Sequence, residues 1–283
     1  MGKFSGILQK QRYKGLKKDA PLPVELYRNR RLVFSLAKND FKTKYAGSYF
    51  GTVWAFIQPI VTICVYWFVF GLALRNGADR GVPFVLWLVA GLVPWFFIQE
   101  GLTGGTSALL EYNYLVKKVV FNIRILPVVK VFSAVFVHCF FVVIILVIYT
   151  CMGYPPDLYA LQLIYYSFCT FMLILGITYL TSAVVVFFRD LMQMINIALQ
   201  VGVWVTPIMW NFSDLGLTGI LTTILKLNPV FYVVQGYRDS LIDKVGIWEH
   251  PVLTLYFWAV TLVIFFLGTR LFKKLQVHFA DVL

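Results

Sequence analysis

Residues 49–74 read YFGTVWAFIQPIVTICVYWFVFGLAL, 26 positions without one charge. A helix rises about 1.5 Å per residue, so about 20 apolar residues cross the hydrocarbon core of a bilayer. The stretch is long enough to span. Of the 283 residues, 60% are hydrophobic and 13% charged, whereas soluble domains average roughly 25% charged residues. A single soluble core could not hide this much apolar surface. Lipid must be the solvent for most of the chain.

Working outward, five more charge-free runs appear: 81–99, 131–156 (with His138 inside), 158–188, 191–213 and 252–269. Together they predict an all-α integral membrane protein with six spans, at about 49–74, 81–106, 128–153, 158–188, 191–212 and 252–271. Two further runs, 215–225 and 227–237, have 11 residues each and are too short to cross. Asn228-Pro229 lies between them, and proline disfavours helix in the residue before it. They read as a re-entrant hairpin over 215–241, with an amphipathic surface loop as the plainer alternative. The first 48 residues hold no short apolar core ahead of a small-residue cleavage site, so the first apolar run is expected to be retained.

The net charge of +12 raises nucleic acid as a partner, but the basic residues sit in short segments between apolar runs, where they set orientation. With the N-terminus in the cytoplasm, 20 of the 25 Lys and Arg fall on the inner side. The reading is therefore a multi-pass protein of the plasma membrane, both ends cytoplasmic, with no nucleic-acid role. Residues 1–48 divide into a basic tail and an amphipathic helix at 30–45. There Val33, Leu36, Ala37, Phe41 and Tyr45 recur at helical spacing, while Arg31, Lys38, Lys42 and Lys44 take the other faces. Such a helix suits the cytoplasmic interface and anionic lipid headgroups.

No span carries a charge near its centre, which disfavours an ion-coupled carrier. His138 reads as a polar packing residue, with a proton relay as the alternative. The chain has no G-x-x-x-x-G-K-[ST] loop, and Gly101, Gly104 and Gly105 lack the lysine that would follow. Close helix approach is the better use for them. Neither a Ser/His/Asp arrangement nor an HExxH motif is present. The four cysteines lack CxxC spacing and read as small packing residues. No catalytic, metal or cofactor site is expected on this chain, so energy for any work comes from a partner.

Uncharged polar residues do form stripes. Gln58, Thr62 and Tyr66 are four apart in the first span, and Gln193, Asn196, Gln200 and Trp204 follow at three, four and four in the fifth. They suit a passage for a hydrated, flexible substrate, or interhelical hydrogen bonds worth roughly 0.6 kcal/mol each. The segment at about 108–118 mixes Leu109, Leu110, Tyr114 and Leu115 with Glu111, Asn113, Lys117 and Lys118. It reads as a short cytoplasmic helix able to dock in a groove of a soluble protein.

Several stretches in fixed order carry a resemblance: NDFKTKYAGSYFGTVWAFIQP (39–59), PFVLWLVAGLVPWFF (83–97), VKKVVFNIRILP (116–127), FFRDL (187–191), TPIMW (206–210) and LNPVFYVVQGYRDSL (227–241). Together they resemble ABC-2 type permeases that export lipid-linked polysaccharides, the family of O-antigen and wall teichoic acid translocation proteins. The resemblance covers about 27–275, and with it a transmembrane domain at 49–275. It implies a homodimer around a lateral channel, joined in a 2:2 complex to a cytoplasmic ABC ATPase that holds the ATP and Mg. In that picture Glu111, Tyr112, Asn113, Tyr114, Lys117 and Lys118 couple to the ATPase, supported by Arg189 and Asp190. Asn228, Pro229, Tyr237 and Arg238 shape an outer gate. Family members commonly carry Phe-Pro where this chain has Phe121-Asn122. The implied substrate is an undecaprenyl-linked surface polymer flipped to the outer leaflet. Tyr66–Gly77 leans toward wall teichoic acid, with O-antigen or capsular polysaccharide next and a drug or small lipid as the alternative.

Overall fold

The computed structural model describes residues 22–44, 47–73, 82–117, 122–212, 216 and 219–283. Among these, every regular element is helical. Two short helices, α1 (Leu22–Arg28) and α2 (Arg30–Lys44), precede the first apolar segment. That segment opens with a 3-10 turn at Gly51–Val53, continues as α3 (Trp54–Tyr66) and ends in a π-helix at Trp67–Ala73. Next come α4 (Phe84–Glu111), the one-turn α5 (Asn113–Val116), α6 (Leu126–Cys151) and α7 (Gln162–Val185). The chain closes with α8 (Leu191–Val205), α9 (Ile220–Lys226), α10 (Pro229–Arg238), α11 (Pro251–Leu275) and α12 (Phe279–Val282). The basic tail, Tyr45 and Lys118 fall outside the described residues, as do residues 213–215 near the start of the expected hairpin.

Among the described residues, five helical segments are long and apolar enough to cross a membrane: Gly51–Gly71, Phe84–Glu111, Ile123–Cys151, Leu158–Val185 and Pro251–Val282. The remaining expected span, the fifth at 191–212, is realised as a helix of only 15 residues, Leu191–Val205. Pro207 is the reason. A residue before proline is pushed into extended geometry, and Thr206 adopts φ −77°, ψ 130°.

The centre of the protein is α4, packed against α6 and α7, with α11 on the far side of α7 and α10 wedged against α4 and α7. Gly101 and Gly105 let this happen. A Cβ on Gly105 would stand 2.2 Å from Thr178 of α7, and one on Gly101 would stand 2.8 Å from Ile174. Gly104 has no such role, since its nearest neighbour, Lys130, would lie 4.0 Å away. Small residues replace the missing hydrophobic drive between helices in lipid by permitting close backbone contact. The α3 segment is the opposite case, with 6% of its span buried in the chain against 72% for Phe84–Glu111.

Two asparagines start helices where the chain leaves a loop. The Asn228 carboxamide oxygen accepts from the Val230 amide at 3.0 Å, with Pro229 at the first helical position. Asn122 does the same for the Arg124 amide at 3.1 Å. Asn122 therefore begins the run into α6 with a side-chain cap.

Candidate functional site

The two stripes meet. Gln58, Thr62 and Tyr66 of α3 and Gln193, Asn196, Gln200 and Trp204 of α8 line one cavity of about 720 Å³. Their spacing places each set on one helical face, and the packing of α4 between them supplies the floor. From α4 come Leu92, Trp95, Phe96, Gln99, Glu100 and Thr103. The stripe reasoning missed Gln99, Glu100 and Thr103. They continue the face of Trp95 and Phe96 within the expected span 81–106, but period along one helix does not show which neighbouring helices that face meets.

Aromatic rings gather at one end, where the Tyr66 and Trp204 ring centres are 6.4 Å apart and Phe70 lies 6.3 Å from Trp204. The carboxylate of Glu100 is ion-paired with Lys44, the last residue of α2. The wall thus offers amides, hydroxyls and aromatic faces, with one charge already paired.

A second cluster ties α2 to the base of α4 and α6. Lys130 of α6 pairs with Asp40 at 2.6 Å and with Glu111 at 2.5 Å, and the Tyr112 hydroxyl donates to Asp40 at 2.7 Å. The Lys130 and Asp40 side chains are only 8% and 7% exposed. Burial and the Asp40 carboxylate hold the Tyr112 phenol well above its usual range, so it remains the donor. Arg124 adds a pair with Glu25 of α1 at 3.3 Å. The amphipathic reading of α2 thus holds for Val33 and Ala37, which are buried, but a buried Asp40 shares that face. Periodicity does not reveal a lysine waiting on another helix.

Tyr112 is half-buried and tied to Asp40, Glu111 is exposed although it pairs with Lys130, and Asn113, Tyr114 and Lys117 are exposed as well. Arg189 and Asp190 are exposed in the turn between α7 and α8. None of the residues expected at an outer gate is exposed: Asn228 and Pro229 are half-buried, and Tyr237 and Arg238 are buried. Asn228 bridges to Thr206, its amide donating to Oγ1 at 2.9 Å. Arg238 is buried, donates to the carbonyls of Pro207 at 2.7 Å and Ile208 at 2.9 Å, and lies 3.5 Å over the Trp87 ring. The Tyr237 hydroxyl meets Ser167 Oγ at 2.8 Å and His138 Nε2 at 3.0 Å. His138 itself stacks on Phe97 at 4.4 Å. It packs as a polar bridge between α6, α7 and α10. Among the cysteines, Cys169 is buried while Cys64, Cys139 and Cys151 sit on outward faces, all as free thiols.

This arrangement, a multi-pass helical domain with a polar cavity and a short exposed segment after a central helix, is that of a membrane permease. The ABC-2 type transporter family matches residues 31–242, and the chain belongs to that family. It is similar to the O-antigen export system permease protein RfbA of Myxococcus xanthus, 26% identical over 260 residues, covering 91% of this chain and 97% of the relative. Two proteins of the same description from Klebsiella pneumoniae are 24% and 26% identical, each covering 89% of this chain and 95% of the relative.

Proposed function

We propose that this chain is the membrane half of an ATP-driven exporter that carries a lipid-linked surface glycan of the O-antigen class from the inner to the outer leaflet. The observation that carries the reading is the cavity. Seven polar and aromatic residues from two separate helices converge on it, and amides, hydroxyls and ring faces are the groups that hydrogen-bond and stack on sugars. The descriptions of the three relatives support the same substrate class. Wall teichoic acid, favoured by the run at 66–77, becomes the second choice.

In this reading the protein sits in the inner membrane with both ends cytoplasmic. It crosses six times, the short α8 counting as a span with the non-helical residues that follow it, and α9 and α10 form a re-entrant hairpin gating the outer side. Helix α2 lies at the cytoplasmic interface. Two copies pair through the sparsely covered α3, and each binds one ATPase subunit through Asn113, Tyr114, Lys117 and Lys118, seconded by Arg189 and Asp190. ATP and Mg reside on that subunit, and this chain needs no cofactor of its own.

Depletion of the protein in cells tests the proposal. Lipid-linked polymer is expected to accumulate on the inner side of the membrane, and an unchanged polymer distribution would point instead to export of a drug or small lipid. The isolated chain is expected to hydrolyse no ATP; hydrolysis without a partner subunit would sink the half-transporter assignment.

A further inference from the structure

We infer that the polymer is uncharged along its backbone, a neutral glycan and not a phosphate-rich polyanion. The inference rests on the reading of the cavity as a polymer passage and deepens it. Among the described residues that line the cavity there is no lysine or arginine, and the single ionisable acid is Glu100. Lys44 stands beside that acid as its ion-pair partner, so the pair brings no surplus positive charge to the wall.

Pores that conduct anions and phosphates line themselves with arginine or lysine, because a charge leaving water needs compensation. A charge in a membrane-embedded wall costs several kcal/mol or is paired. A chain with a phosphate in every repeat would meet here only amides, hydroxyls and rings, with a carboxylate at Glu100. A neutral sugar chain would lose hydrogen bonds to water and regain them from Gln58, Gln193, Asn196 and Gln200, while Trp204 offers a flat apolar face.

The test uses the full-length protein in nanodiscs of neutral phosphatidylcholine, reading tryptophan fluorescence, since Trp54, Trp95 and Trp204 face the cavity. Maltohexaose is the neutral probe and a hexamer of galacturonic acid the polyanionic one. At low ionic strength the neutral hexamer is expected to bind at least tenfold more tightly. Asn196→Lys is expected to narrow that gap, and Glu100→Gln to narrow it less. Equal or tighter binding of the acidic hexamer to the unmodified protein would overturn the inference while leaving a polymer passage standing. Silence from both probes, with helicity intact by circular dichroism, would remove the glycan passage and the inference with it.

Discussion

The guanidinium of Arg238 donates to the backbone carbonyl of Pro207 at 2.7 Å. Proline at 207 ends α8 early and leaves nearby carbonyls without helical partners, and the last residue of α10 supplies the missing donors. Two motifs separated by some thirty residues in sequence thus form one unit. Asn228 adds a second tie through Thr206.

Replacing Arg238 should test that unit directly. Arg238→Met removes two charge-assisted hydrogen bonds from a buried site and is expected to cost about 3–5 kcal/mol. Arg238→Lys retains the charge but not the planar fork, and should recover only part of the loss. Thermal unfolding in detergent reads both. A Met variant as stable as the parent would show that the carbonyls find other donors.

Lys130 offers a second site. Lys130→Met leaves Asp40 buried without its cation, with Glu111 close by. We expect a loss of about 3–5 kcal/mol, and the double variant Lys130→Met with Asp40→Asn should be markedly less affected than the sum of the single changes. Strict additivity would argue that the pair contributes nothing as a pair.

Gly268 and Gly104 make a matched comparison. A Cβ at 268 would fall 2.6 Å from the Gly176 carbonyl oxygen, a backbone atom that cannot swing away, whereas one at 104 meets only Lys130 at 4.0 Å. Gly268→Ala should destabilise by about 1–3 kcal/mol, and Gly104→Ala should be neutral or slightly stabilising, because alanine favours helix. Similar melting shifts for the two would contradict the packing of α11 on α7.

Asp239, the first residue of the π-helical turns Asp239–Asp243 that continue α10, gives a pH signature. Burial pushes its carboxyl up to about 6; the Gln235 hydrogen bond, His250 and Arg238 oppose the shift, and Asp243 reinforces it. The folded protein therefore holds this proton more tightly than the unfolded chain does. The group's penalty is fully present above pH 6 and is relieved as pH falls toward the ordinary carboxylate value of about 4. Asp239→Asn should raise the melting temperature at pH 8, and the advantage should vanish by about pH 4. A gain independent of pH would assign the effect to something other than this carboxylate.

How much of this was legible beforehand differs by element. The positions of α4, α6, α7 and α11 follow from charge-free runs, because lipid excludes charge over a fixed thickness, although α4 continues past its run to Glu111. The α8 boundary did not, since the 191–213 run remains apolar past the point where Pro207 ends the helix. Stripe residues were legible by period alone, whereas Gln99, Glu100 and Thr103 join the cavity only through the packing of α4.

By itself, the sequence determined the solvent of this protein, its helical character and the faces of α3 and α8 that carry polar groups. Each depends on composition and period along one segment. Only the tertiary structure decided that those two faces enclose one cavity, that Lys130 receives Asp40 and Glu111, and that Arg238 closes the broken end of α8. Such pairings join residues far apart in the chain, and local periodicity carries no term for the distance between helices.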